Sequence, residues 1–317
     1  MKKLIALLLS LFFLLSTALP AGMAEEKPLK IVTTIFPIYD WVRQIIGEQD
    51  ADVTMLMDSG VDLHNFQPTA QDILTIAQCD LFIFVGGESD EWTEDVLNTV
   101  QNESMTVINL LDALGDDVKE EEIVEGMEAE EEEGEEEEAE SDEHVWLSLR
   151  NAEKLVKVIA ETLAAIDAEK AEPYRANAES YIEKLQALDA QYAETVDAAA
   201  FKTLLFGDRF PFRYLADDYG LTYYAAFAGC SAETEASFQT ILFLAQKVDE
   251  LGLPAVLTIE NPKTRIAETV VNATQNKNQK ILSLNSMQGV TAQEVKDGAA
   301  YLSLMESNLI VLRDALN

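Results

Sequence analysis

The feature that most limits what this chain can fold into is an alternation that stops and then resumes. Short apolar runs at residues 29–35, 53–57, 81–85 and 105–110 alternate with segments of helical spacing at 38–46, 69–78 and 94–101. A dense block of like charge then fills residues 115–141. Beyond it, apolar runs return at 203–206, 221–227, 255–259 and 280–284, alternating with helical patterns at 210–219, 237–251, 264–274 and 300–316. Near-continuous apolar strands separated by helices specify parallel sheets, since each parallel crossover lays a helix on a sheet face. The expected fold class is α/β, with two lobes, each a parallel sheet flanked by helices.

Two helical patterns lie between the lobes, within residues 151–200. In the first, Ala152, Leu155, Val156, Ile159, Leu163 and Ile166 share one face. In the second, Pro173 suits a first helical turn, and Tyr174, Ala178, Tyr181, Leu185, Leu188 and Tyr192 recur at alternating intervals of four and three. A helix over residues 173–196 would run about 36 Å, long enough to join two lobes. The expected domains are an N-terminal lobe at 25–150 carrying the acidic insert 115–141, the helical segment 151–200, and a C-terminal lobe at 201–317.

At the start, Lys2 and Lys3 precede an apolar run over residues 4–15 and the small residues before Ala24. This predicts a secretory signal over residues 1–24, with a run too short to span a bilayer. The expected location is the periplasm or the extracellular face of the membrane. No cysteine near residue 24 offers a lipidation acceptor. Of the two cysteines, Cys79 reads as a small buried hydrophobe and Cys230 lies in a turn; their separation into different lobes argues against a disulfide.

The formal charge of −36, from 58 acidic and 22 basic residues, excludes nucleic acid as a partner and favours cations. The insert, with little to bury, is expected to be disordered and to collect cations weakly. Ligands of open parallel sheets bind beyond the carboxyl ends of the strands. There the chain places His64 after the second strand, Asp208 after Leu205-Phe206-Gly207, and Glu260 after Thr258-Ile259, while His144 follows the insert. Each has a plainer reading alone: a surface histidine, an Asp208–Arg209 ion pair, a helix cap at Glu260. Taken together, the chain's two histidines and two carboxylates suit a first-row dication such as Zn²⁺ or Mn²⁺. Cu⁺ would need sulfur, available only from Cys230, and Mg²⁺ or Ca²⁺ an all-oxygen shell.

Several motifs sharpen this reading: His64 with Phe66-Gln67-Pro68, Val85-Gly86-Gly87 through Glu91-Trp92, Glu143-His144-Val145-Trp146-Leu147, the stretch 214–221, Thr258-Ile259-Glu260-Asn261-Pro262, and Tyr301-Leu302-Ser303-Leu304-Met305. Through them the chain resembles the metal-binding solute-binding proteins of ABC transporters, the ZnuA/TroA-like group. The resemblance implies two lobes joined by a rigid helix, a dication held in the cleft between them, and delivery to a membrane permease. By the same resemblance, His64 and His144 match the two N-lobe histidines and Glu260 the C-lobe carboxylate. Asp208 matches a position that is His in zinc members and acidic in manganese members. The insert without histidine, Asp142-Glu143-His144 where Asp-Pro-His is usual, and the missing anchor cysteine depart from the pattern. The expectation is a monomeric, non-enzymatic carrier of Zn²⁺, with Mn²⁺ as the alternative. A secreted metal-dependent hydrolase and a surface adhesin are the readings from other classes; no His-Glu-x-x-His helix supports the hydrolase.

Overall fold

The structure is a computed structural model that describes residues 27–128, 140–231, 235–260 and 264–317. The signal expected at 1–24 lies outside the described residues. In the N-terminal half, strands β1 (Leu29–Thr33), β2 (Ala51–Met55), β3 (Leu81–Phe84) and β4 (Thr106–Asn109) alternate with α1 (Phe36–Ile46), α2 (Ala70–Ala77), α3 (Trp92–Thr99) and the short α4 (Leu110–Leu114). Next come α5 (Leu149–Ile166) and α6 (Ala171–Ala198). The C-terminal half contains β5 (Thr203–Arg209), α7 (Arg213–Tyr219), β6 (Thr222–Phe227), α8 (Phe238–Leu251), β7 (Ala255–Ile259), α9 (Arg265–Ala273), β8 (Lys280–Leu284), α10 (Ala292–Lys296) and α11 (Tyr301–Ala315).

Both sheets are four-stranded and parallel, with orders β2-β1-β3-β4 and β6-β5-β7-β8. The two-lobed α/β expectation is borne out. The shared order means that each chain path leaves its first strand, steps to one side and then crosses to the other. A crevice therefore opens at the carboxyl ends between β1 and β3, and again between β5 and β7.

α6 is 28 residues long, a span of about 42 Å. Its buried stripe runs from Tyr174 to Val196. One end is tied to the N-terminal lobe, where Asn177 donates to the Ile45 carbonyl and the Tyr181 hydroxyl to buried Asp40. At the other end, Tyr192 donates to the Met305 carbonyl of α11 and stacks on Tyr219. One hydrophobic core runs from Ile31 and Trp41 through α5 and α6 to Phe206, Leu257 and Leu316, so the lobes share a continuous interior.

Two expectations need correction. The helix expected from residue 210 begins at Arg213, because Phe210 and Phe212 are core residues: Phe210 stacks on Tyr223 with ring centroids 3.8 Å apart, and both phenylalanines pack on Phe206. The insert expected to be disordered over 115–141 is ordered at residues 115–128 and 140–141; residues 129–139 lie outside those described. Its glutamates meet partners that the local sequence does not contain. Glu122 accepts from the Tyr223 hydroxyl and faces Arg213, Glu125 pairs with Lys247, and Glu121 accepts from the Cys230 N–H. The Glu128 N–H donates to the Ala226 carbonyl, while Val118, Val124 and Met127 pack on the core. This segment is thus stitched along the C-terminal lobe.

Candidate metal centre

His64 lies in a single 3-10 turn, Leu63–Asn65, beyond the end of β2. Asp62 caps that turn by accepting from the His64 N–H. His144 immediately precedes a second such turn, Val145–Leu147, which leads into α5. Trp146, fully buried, anchors this turn by donating its indole N–H to the Ser286 carbonyl of the opposite lobe, and Tyr301 donates to the Trp146 carbonyl.

The two turns bring the imidazoles together with their planes tilted by 53° and Nε2 of His64 3.3 Å from Nε2 of His144. Two nitrogens at about 2.1 Å from one tetrahedral zinc lie about 3.4 Å apart, so this spacing already fits a shared ion. The opposite ring nitrogens are tied off. Nδ1 of His144 lies 3.0 Å from Asp142 Oδ1, a carboxylate that can only accept, so this nitrogen carries the proton. Nδ1 of His64 lies 2.7 Å from the Ser89 hydroxyl. The Ser89 backbone N–H donates to Glu143 Oε1 at 2.7 Å, which holds the serine beside His64. With the proton of each ring on Nδ1, both Nε2 lone pairs would turn inward, where a cation between them could be shared.

Burial favours the neutral form of His64. Desolvation, helped by the neighbouring His144, pushes the His64 pKa down to about 3. Desolvation also raises the Glu143 carboxyl to about 7 against the hydrogen bonds from Ser89. Its Oε2 is buried without a hydrogen-bond partner, 3.7 Å from His64 Nδ1. Gly87, at φ +83°, is needed here, because a Cβ would come within 2.5 Å of Glu143 Oε1.

The third chemical group at this point is a thiol. Among the described residues, His64, His144 and Cys230 form a group whose ligand atoms all lie within 4.8 Å of one another. Asp208 and Glu260 stand outside that group. Asp208, near the end of β5, accepts from the N–H groups of Arg209 and Ile259. Glu260, just beyond β7, accepts from the N–H and hydroxyl of Ser286 rather than capping α9. They flank the β5–β7 crevice and are close enough for Glu260 to raise the Asp208 pKa, after the larger effect of burial. Arg209 does not pair with Asp208; its guanidinium crosses to Asp62 on the His64 turn and to Gln288. Ser89, Asp142 and Glu143 escaped the sequence reading as supports for the imidazoles. The departure at Glu143 from the usual motif was their only visible signal.

Paired buried imidazoles, set where the carboxyl ends of two parallel sheets meet beside a long connecting helix, mark a solute-binding protein of the metal-binding kind. The chain belongs to the family described as zinc-uptake complex component A, periplasmic, which matches residues 31–315. It is 31% identical over 322 residues to the zinc-binding protein AdcA of Streptococcus pyogenes serotype M3, covering 99% of this chain and 61% of that protein. It is 32% identical over 301 residues to the high-affinity zinc uptake system protein ZnuA of Bacillus subtilis, covering 93% of this chain and 90% of that one. The Zn(II)-bound ZnuA-like domain of Streptococcus pneumoniae AdcA superposes with a TM-score of 0.72 at 31% identity, over 92% of this chain and 99% of that domain. This chain therefore spans about three fifths of the AdcA proteins it matches.

Proposed function

We propose that this protein captures a divalent transition metal outside the cytoplasm, Zn²⁺ in preference to Mn²⁺, and delivers it to the permease of an ABC transporter. The observation that carries this reading is the pair of buried imidazoles whose Nε2 atoms stand 3.3 Å apart with both Nδ1 positions engaged. His64 and His144 are the nitrogen donors. Asp208 and Glu260 give the facing lobe its negative charge and offer oxygen donors, because a carboxylate keeps lone pairs beyond those its hydrogen bonds use. Nitrogen-rich sites bind zinc more tightly than manganese, and relatives of this chain are named for zinc binding and zinc uptake. The family is one of transport components, not an enzyme class. No described helix is long and apolar enough to cross a membrane. A monomer is sufficient, since all the proposed donors come from one chain.

The test is calorimetric titration of metal-free protein with zinc and with manganese, beside His144→Ala. One tightly held zinc per chain, lost in the variant and without hydrolysis of ester or peptide substrates, is expected. Unchanged affinity in His144→Ala would overturn the assignment, and metal-dependent turnover would favour a hydrolase.

A further inference from the structure

We infer that Cys230 is the third ligand of the captured ion and the residue that sets its preference for thiophilic metals. The inference rests on the metal-capture reading above and goes beyond it in naming a sulfur donor. Three observations support it. The Cys230 sulfur, in the loop after β6, joins His64 and His144 in one group within 4.8 Å, whereas Asp208 and Glu260 do not. The loop is shaped for close approach: a Cβ at Gly229 would stand 2.9 Å from the Phe210 carbonyl oxygen and 3.1 Å from Cε1 of His144. The loop is also held in place, because the Cys230 N–H donates to Glu121 Oε1 on the ordered flank of the acidic segment. Beside these stands buried Glu143, whose unpartnered Oε2 lies 3.7 Å from Nδ1 of His64.

The chemistry is a ligand exchange without redox change. Zinc loses a bound water, the thiol loses its proton to solvent, and a Zn–S bond forms at about 2.3 Å. Two imidazoles and a thiolate leave one position of a tetrahedral shell for a carboxylate of the C-terminal lobe or for water. A thiolate favours Zn²⁺, Cd²⁺ and Cu⁺ over Mn²⁺, so one side chain would separate two ions that an all nitrogen–oxygen site discriminates less sharply.

The experiment loads the full chain with one equivalent of Co²⁺ and records the near-ultraviolet spectrum, then titrates Zn²⁺ and Mn²⁺ into wild type, Cys230→Ser and Asp208→Asn. Wild type should show a thiolate-to-cobalt charge-transfer band. It should vanish in Cys230→Ser and persist in Asp208→Asn. Cys79 does not supply it, being buried with its thiol against Met105 in the N-terminal lobe. Zinc affinity in Cys230→Ser should fall by a factor of about 100 or more, above the 10- to 100-fold typical of losing a ligand's hydrogen-bond partner. Manganese affinity should change far less. A stoichiometric cobalt complex of wild type without the band overturns the sulfur ligand and leaves metal capture standing, and that spectrum decides even if a variant fails to fold. Wild type that binds neither cobalt nor zinc overturns both.

Discussion

Asp142 is the most informative place to perturb the imidazole pair without touching a donor. Its Oδ1 accepts from the His144 N–H at 2.8 Å and from Nδ1 at 3.0 Å, with both residues almost wholly buried. Asp142→Ala leaves two buried donors without an acceptor, at about 1–3 kcal/mol each. Water entering the vacated space returns part of this, so the metal-free protein should lose about 2–4 kcal/mol. His144 also loses the contact that holds its proton on Nδ1, and zinc affinity should fall about 10- to 100-fold. Asp142→Asn keeps an oxygen in place but lacks the charge, which about halves the strength of such hydrogen bonds, so its losses should be smaller in both measurements. Competition against a chromophoric zinc chelator gives the affinity, and urea denaturation of metal-free protein gives the stability. Wild-type affinity in a destabilised Asp142→Ala would refute the positioning role. Equal affinity losses in the two variants would show that net charge matters and the fixed tautomer does not.

Asp90 offers a test of burial away from the donors. It is 1% exposed, and desolvation raises its pKa to about 6 while its Oδ2 accepts from the N–H groups of Val85 and Gly86. The unfolded carboxyl titrates near 3.8, so stability from the protonated form is fully present below that pH and is lost as pH rises through about 6. Asp90→Asn should therefore gain roughly 2–3 kcal/mol relative to wild type between pH 4 and pH 7 in denaturant titrations, and parallel profiles would contradict the assignment. Gly207→Ala should destabilise the C-terminal lobe by about 1–3 kcal/mol or more, because the new Cβ would stand 2.5 Å from the Ala267 Cα of α9, where backbone must move. An unchanged melting temperature would mean that α9 does not press on β5 in solution.

Apolar runs of four to seven residues made the eight strands legible in the sequence, and the alternating spacing of Tyr174 to Tyr192 made α6 legible, because strand and helix periods are local properties. The same rule misread Phe210, whose apolar side chain serves a stack with Tyr223 across the sheet and not a helix face. The imidazoles were found because histidine is scarce here and both occurrences fall where parallel strands end. Their supports were hidden, since Ser89 is 25 residues from His64 and nothing marks a serine as an imidazole's partner until the turn is built. Long separation also hid the Arg209–Asp62 pair, at 147 residues, whereas adjacency suggested Asp208 as the partner. The acidic segment misled for a related reason. Repulsion among its glutamates is written in one stretch, while Arg213 and Lys247, which offset it, lie far along the chain.

If the proposed delivery to a permease holds, the continuous core has a consequence for how a loaded carrier is told from an empty one. Side chains from Ile31 to Leu316 interlock through the middle of the molecule, and close-packed interiors resist wide swings of one half against the other. The signal of cargo then has to be written in short pieces of backbone at the rim, the turn at 62–66 and the loop at 228–231, where Arg209 now bridges to Asp62. A docking partner would read small changes of surface relief and charge there, in place of a jaw that shuts.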